Sequence, residues 1–166
     1  MALTRTDFHG LVADHAPALY RLAYRMVGDP HDAEDVVQET LRSAWSSRDR
    51  FDCDRSHRAW LAAILRRRVI DGWRRKSRTP YPAGEHAIEI PVDGADPLAS
   101  ELTDEMQHAL KSLSAELRES LLLVVVGELT HQEAADMLGI PLGTVLSRVS
   151  RARQRLRHYY LAEAKQ

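Results

Sequence analysis

The sequence contains a single cysteine, Cys53, among its 166 residues. One thiol cannot form an intramolecular disulfide bond, and it excludes the zinc sites that are built on a pair of cysteines. Cys53 and His57 are close in sequence, but one cysteine and one histidine make an incomplete metal site. We therefore expect no metal, no cofactor and a reducing compartment.

Long hydrophobic runs are also missing. The longest apolar run covers residues 121–126, whereas a membrane-spanning helix needs about 20 apolar residues, and the first residues lack the apolar stretch of a signal peptide. Hydrophobic residues make up 44% of the chain and charged residues 28%, which is typical of a soluble globular protein. The sequence predicts a cytoplasmic protein that is neither secreted nor inserted into a membrane.

Recognisable catalytic patterns are absent as well. The sequence shows no serine, histidine and aspartate grouping, no phosphate-binding glycine loop and no pair of carboxylates spaced for acid–base chemistry. Each of these patterns marks a class of enzyme. We therefore predict no catalytic residues and expect a protein that is not an enzyme.

The net charge of −1 hides a strong segregation of charge along the chain. Acidic residues gather at positions 29–39 and again at 85–105, whereas basic residues gather at 55–78 and at 148–157. Two basic segments separated by an acidic one predict two nucleic-acid contacts on one polypeptide. The acidic segment at 29–39 is left for a different partner.

Hydrophobic periodicity predicts three helices in the first half. The first runs from Leu11 to Val27, with Pro17 as its kink or start, and Gly28 ends it. Asp29 and Pro30 then form an N-cap and a first helical position. After a loop with the sequence FDCDRSHR, the third helix runs from Trp60 to Trp73. The predicted buried positions are Leu19, Leu22, Ala23, Met26, Ala33, Val37, Leu41, Ala44, Leu61, Ile64, Leu65 and Val69.

Prolines and glycines break the pattern at residues 79–97, which we interpret as a linker between two domains. Beyond it, Ser114 is the expected N-cap of a helix that contains the LLLVVV run. Thr130 and Glu133 match a capping box, and Gly139 suits the end of that short helix. A longer helix follows from about Leu142 to Tyr159, with Val145, Val149, Ala152 and Leu156 buried. The predicted fold class is all-α, with two small helical domains.

The last two helices have the arrangement of a helix-turn-helix, whose second helix enters the major groove of DNA. Arginine can bind guanine with two hydrogen bonds, and serine and threonine suit phosphates. A charged face alone would be equally typical of a solvated helix, but residues 139–160 contain no acid. The predicted reading face comprises Thr144, Ser147, Arg148, Ser150 and Arg151.

The third helix combines arginines with tryptophans, which suits unstacked single-stranded bases. The alternative is that Trp60 and Trp73 are core residues beside a solvated arginine stripe, and for the tryptophans we favour it. The exposed residues Asp35, Gln38 and Glu39 of the second helix match, by pattern alone, an ordinary solvated face.

Three segments together resemble the extracytoplasmic-function sigma factors of bacterial RNA polymerase. They are GDPHDAEDVVQETLRSAW, FDCDRSHRAWLAAILRRRVIDGWRR and LTHQEAADMLGIPLGTVLSRVSRARQRLR, and they occur in the family's order. The resemblance implies a sigma-2 domain at residues 8–78, a linker at 79–97 and a sigma-4 helix-turn-helix domain at 98–160. It also departs from the family pattern at Arg67, Leu146 and Ser114, where asparagine, a basic residue and proline are common.

The resemblance assigns a role to each segment. Core polymerase, through the clamp helices of its largest subunit, would bind Asp32, Asp35, Gln38 and Glu39. The opened −10 strand of promoter DNA would bind Phe51, Arg55, His57, Arg58, Arg66, Arg67, Arg74 and Arg75. The −35 element would bind Thr144, Leu146, Ser147, Arg148, Ser150 and Arg151, with Leu146 suited to a thymine methyl group. The family also implies contact with the flap of the second-largest polymerase subunit and an anti-sigma partner.

Two other functions are compatible with a helix-turn-helix. One is a stand-alone dimeric transcription regulator, which would bind a palindromic duplex tightly without polymerase. The other is a DNA-processing enzyme such as a recombinase, for which the sequence offers no identifiable nucleophile or metal cluster.

Overall fold

The computed structural model describes residues 3–51, 54–78 and 104–165. These residues form α-helices and one short 3-10 turn, Arg48–Arg50, with no strand among them, which confirms the all-α prediction. The predicted linker at 79–97 lies outside the described residues. The helices are α1 (Arg5–Val27), α2 (Pro30–Ser47), α3 (His57–Arg78), α4 (Asp104–Lys111), α5 (Ala115–Val125), α6 (His131–Leu138) and α7 (Leu142–Glu163).

Helix α1 begins earlier than the sequence indicated. The Thr4 hydroxyl accepts a hydrogen bond from the Asp7 amide, and the Asp7 carboxylate accepts one from the Thr4 amide, which is a capping box. The expectation that Pro17 starts the helix is wrong because Pro17 lies inside α1. Buried residues on both sides of it, Phe8 and Leu11 before and Leu19 and Leu22 after, hold the helix in place.

The junction between α1 and α2 matches the prediction. Gly28 ends α1 in the left-handed conformation with φ 78°. Asp29 is the N-cap of α2, where its carboxylate accepts a hydrogen bond from the Asp32 amide at 2.9 Å, and Pro30 is the first helical residue. Within α2, Ala33 and Ala44 are buried as expected, and Thr40 is buried as well because its hydroxyl donates to the Val36 carbonyl.

Helix α3 is longer than predicted, since it takes in His57 and Arg58 at its start and continues to Arg78. Leu61, Leu65 and Val69 are buried against α1 and α2. The interpretation of the tryptophans as core residues holds for Trp60, which packs against the core. It is wrong for Trp73, which is 44% exposed because the last turns of α3 border an open groove beside α2.

The C-terminal half consists of α4 to α7. Ser114 caps α5, and the LLLVVV run is helical as expected up to Val125, with Val126 as the C-cap. Thr130 and Glu133 form a capping box at the start of α6, and Gly139 ends α6 with φ 65°. Residues Val145, Val149 and Ala152 bury one side of α7 against α5 and α6.

The two halves pack against each other. The buried side chains form one continuous cluster, in which α1 contacts α5 and α3 contacts α6. We call the contact between the two halves the seam. Gly127 lies at the seam, where an added Cβ would stand 3.3 Å from Cδ2 of Leu22 in α1. No helix in the three described stretches has the length and hydropathy needed to cross a bilayer.

Candidate nucleic-acid interface

Helices α6 and α7, with the tight turn between them, form the helix-turn-helix. On α7 the side chains of Leu146, Ser150 and Arg151 are exposed, and those of Thr144 and Ser147 are half-buried. Pro141 precedes the helix and offers no side-chain cap to its first amides. Amides at a helix N-terminus can bind phosphate oxygens, so this end of α7 suits contact with a DNA backbone.

Arg148 faces inward more than the sequence indicated. One terminal nitrogen of its guanidinium lies 3.4 Å from a carboxylate oxygen of Glu116 in α5, and the side chain is 23% exposed. The structure therefore ties Arg148 to its own domain, while Arg151, one turn further along α7, is exposed.

The reading face carries an apolar pair, of which the sequence analysis named Leu146 and missed Leu142. Leu142 and Leu146 lie one turn apart on α7 and are 40% and 47% exposed. Leu142 was taken only as the start of the helix because a leucine in an amphipathic helix is more often buried. Exposed leucines on such a helix suit contact with thymine methyl groups.

Phe51 packs against the start of α3. Its ring is buried, stacks on the His57 ring at a centroid distance of 4.7 Å and makes a tilted contact with the Trp60 ring at 4.8 Å. Phe51 thus faces the protein interior, whereas Arg55 is exposed.

The arginines of α3 differ in exposure and in position. Arg67, Arg74 and Arg75 are exposed. Arg68 donates to the Ser43 hydroxyl of α2 at 2.7 Å. Arg58 and Arg66 form ion pairs with the C-terminal half: Arg58 with Glu128 at 3.2 Å, and Arg66 with Glu119 at 2.5 Å. Nothing in the sequence pattern places these acids beside α3, because the partners are 70 and 53 positions apart.

The acidic face of α2 borders a groove of about 330 Å³ between α2 and α3. Asp32, Asp35 and Glu39 line it from α2, and Trp73 and Lys76 line it from α3. Asp35 and Gln38 are exposed, whereas Asp32 is paired with Lys76 at 2.5 Å. The structure brings three of the four predicted polymerase-binding residues to one groove edge, and it adds Trp73, which the sequence analysis had assigned to the core.

Two titratable groups at the seam between the halves have shifted pKa values. Burial, then the nearby Arg58 guanidinium, lowers the pKa of His15. For Glu133, burial acts to raise the pKa, but hydrogen bonds from Ser56 and Thr130 outweigh it and the pKa is lowered. Among the described residues, no three histidine, cysteine or acidic side chains are grouped as metal ligands.

Comparison with known protein families defines the class of protein. The model of sigma-70 region 2 matches residues 11–79, and the model of sigma-70 region 4 matches residues 103–156. The first match covers α1 to α3, and the second covers α4 and the helix-turn-helix. The fold and the candidate interface thus define a sigma factor with regions 2 and 4.

Individual relatives narrow this class. The chain is 37% identical over 154 residues to the ECF RNA polymerase sigma factor SigE of Mycolicibacterium smegmatis, with 90% of this chain and 60% of that protein covered. It is 33% identical over 162 residues to the ECF RNA polymerase sigma factor SigW of Bacillus subtilis, with 90% and 87% covered.

A solved structure agrees. The sigma factor RpoE of Bartonella quintana, in complex with the anti-sigma factor NepR, superposes with a TM-score of 0.76 at 32% identity, covering 93% of this chain and 97% of that one. The chain belongs to the extracytoplasmic-function sigma factors, which direct RNA polymerase in transcription initiation. These relatives are sigma factors and match both halves of the chain, so they do not favour the alternative of a stand-alone dimeric transcription regulator.

Proposed function

We propose that the two halves divide the work of promoter recognition, with the boundaries predicted from the sequence: residues 8–78 bind core polymerase and the −10 strand, and residues 98–160 bind the −35 element. Helix α7 reads the −35 duplex through Leu146, Ser150 and Arg151, supported by Thr144, Ser147 and Arg148. The loop before α3 and the arginines of α3 hold the opened −10 strand. Catalysis belongs to the polymerase, and the chain acts in the cytoplasm, where polymerase and DNA are found.

The acidic edge of α2 is the proposed polymerase contact. The observation that supports it is the groove between α2 and α3, whose lining includes the exposed Asp35 carboxylate and the exposed indole of Trp73. Carboxylates at a rim select a basic partner surface, and a large aromatic side chain is the kind of anchor that contributes most to protein interfaces. The clamp helices of the largest polymerase subunit are the proposed partner, and the flap of the second-largest subunit would bind the C-terminal half.

An anti-sigma factor is a further proposed partner. RpoE of Bartonella quintana, which is 32% identical to this chain, is bound to the anti-sigma factor NepR in the structure described above. The similar fold and the similar length of the matched chains support an equivalent partner here.

The experiment that tests the polymerase contact is co-elution with sigma-free bacterial core polymerase on a sizing column. We expect a stoichiometric complex with the native chain and a loss of at least about tenfold in affinity for Asp35→Arg, since a like charge now faces the basic surface. Glu34→Arg is the matched control, because it makes the same charge change one residue away, where Glu34 is exposed and lies outside the groove.

Either of two results would contradict the proposal. One is an affinity that Asp35→Arg leaves unchanged, or that Asp35→Arg and Glu34→Arg lower equally. The other is no complex at all, together with a stable dimer that binds duplex DNA alone.

A further inference from the structure

Acidic side chains of the C-terminal half form ion pairs with two arginines of α3, Arg58 and Arg66. The Arg66 Nε donates to the Glu119 carboxylate at 2.5 Å, and the two side chains are 28% and 25% exposed. This contact joins the middle of α3 to α5, across the seam between the halves. The Arg66 Nε–H that donates to this carboxylate is not available to a phosphate group, and the adjacent negative charge of Glu119 disfavours the approach of a phosphate to the same guanidinium.

A second set of contacts lies at the start of α3. One terminal nitrogen of Arg58 is 3.2 Å from the Glu128 carboxylate, and the other donates to the Glu128 carbonyl oxygen at 3.3 Å. Glu128 has φ 55°, a left-handed conformation that is uncommon for residues other than glycine. Ser56, in the loop, donates to the Glu133 carboxylate at 2.5 Å. The C-terminal half therefore presents three acids to the loop and to α3.

The reading face of α7 is not covered in the same way. Leu146, Ser150 and Arg151 on α7 are exposed, and the half-buried Arg148 pairs with Glu116 of its own half. The packing between the halves thus engages the surface assigned to the −10 strand and leaves the surface assigned to the −35 duplex open.

We propose that this packing is an autoinhibitory contact, in which Glu119, Glu128 and Glu133 occupy the −10-strand surface in place of DNA phosphates. The proposal rests on the proposed function of α3. The free chain would then read duplex DNA with α7 but would bind single-stranded DNA weakly. Separation of the halves would expose Arg58 and Arg66 to the opened strand.

The forces at the seam suit a contact that opens. Ion pairs that are partly solvated contribute little to stability and weaken as salt is added. One bridge is more firmly buried: the Arg25 guanidinium donates to the Gln107 side-chain oxygen at 2.9 Å, and the Gln107 amide donates back to the Arg25 carbonyl at 3.2 Å. These polar contacts make the packing specific, and the apolar contacts of the shared core cluster also cross the seam, so a large partner surface is needed to separate the halves.

The test compares the full chain with Glu119→Lys/Glu128→Lys at low salt. Binding of a fluorescein-labelled single-stranded oligonucleotide of mixed sequence is followed by anisotropy, and the radius of gyration is followed by small-angle X-ray scattering. We expect the double variant to have a larger radius of gyration and to bind the oligonucleotide at least about tenfold more tightly, because repulsion separates the halves and frees the arginines.

Asp136→Lys/Glu163→Lys is the matched control, because it adds the same charge to the C-terminal half at exposed positions outside the seam. Asp136 accepts a hydrogen bond from Gln132 within α6, and Glu163 lies beside Tyr159 in the last turn of α7. The affinity of this control for the oligonucleotide should rise only by the small amount that added positive charge gives in general, and its radius of gyration should not change. Glu119→Gln/Glu128→Gln, which removes the ion pairs without repulsion, replaces the lysine variant if that one does not fold.

The results separate failure of this inference from failure of the proposed function. Equal gains in both charge-reversal variants, or an unchanged radius of gyration in the first, overturn the autoinhibitory contact. Arg66→Ala, added to the Glu119→Lys/Glu128→Lys variant, tests whether α3 binds the single strand. If it leaves the oligonucleotide affinity unchanged, α3 does not bind the strand and its proposed function is wrong. If it weakens the opened and the native chain alike, α3 binds the strand but is not masked.

Discussion

At the scale of single residues, the reading face of α7 has one fully available arginine near its N-terminal end. Arg151 is exposed, whereas Arg148 is held by Glu116. Beside them, Leu142 and Leu146 give the face an apolar patch. We infer that base discrimination depends on Arg151 and the leucines, with Arg148 closer to a positioning role.

Arg151→Ala should therefore weaken discrimination more than it weakens binding in general. We expect a loss of about 1–3 kcal/mol on a duplex selected for binding to the chain, and a smaller loss on scrambled duplex, because a bidentate contact to guanine is lost. Anisotropy titrations on the two duplexes measure this, with Arg157→Ala, further along the exposed side of α7, as the control. An equal loss on both duplexes would make Arg151 a phosphate contact instead.

His15 gives the fold a defined pH dependence. Burial and then Arg58 lower its pKa, with His57 acting in the same direction and Asp14 and Glu128 opposing. Because the folded state disfavours the charged imidazole, stability is complete above the unfolded pKa of about 6.5 and is lost as the pH falls through that value.

His15→Gln should reduce this loss. The urea midpoint of the native chain is expected to fall between about pH 7.5 and about pH 5.5, and the midpoint of the variant should fall less. Glu133 contributes little to the change in stability over this pH range, because the pKa of its carboxyl is lowered and lies below the range. Parallel midpoints for the native chain and the variant at both pH values would show that His15 is not responsible.

At the scale of helices, the ends were predictable where a local cap decides them. Asp29 and Pro30, Thr130 with Glu133, and the glycines at 28 and 139 act within one turn of the chain, so the sequence alone reveals them. The sequence placed the start of α1 at Leu11 with Pro17 as its kink or start, whereas the helix begins at Arg5 and includes Pro17. Packing of Phe8 and Leu11 on the far side of Pro17 offsets the lost hydrogen bond, and a local pattern does not show packing.

The turn between α5 and α6 depends on Gly127. An added Cβ would lie 2.7 Å from the Leu123 carbonyl oxygen, which is backbone and cannot move aside. Gly127→Ala is therefore expected to lower the free energy of unfolding by about 1–3 kcal/mol, as overpacking does. Urea denaturation measures the change.

Gly10→Ala is the matched control for this prediction. Gly10 lies inside α1 with nothing within 4 Å of an added Cβ. Alanine is favoured over glycine in a helix interior, so the control should gain about 0.5–1 kcal/mol. A loss of stability in both variants would count against the packing explanation.

At the scale of the whole molecule, the two halves and their charges were foreseen, but their mutual packing was not. The periodicity of α3 and α5 identifies buried and exposed faces, yet it carries no information about which acid meets which arginine. Arg66 was expected on a DNA-facing surface, and the fold places it beside Glu119 of α5. Arg66 and Arg67 lie on the predicted third helix, whereas His57 and Arg58 lie on α3 and not in the predicted loop. The partners of Arg58 and Arg66 required the structure.

The function of the whole molecule is promoter selection, and transcription in vitro tests it most directly. Sigma-free core polymerase would transcribe sheared genomic DNA of the source bacterium with and without the chain, and the 5′ ends of the RNA would be sequenced. The account predicts new start sites that share two sequence blocks at constant spacing, one near −35 and one near −10. Start sites identical to those of core polymerase alone would contradict it.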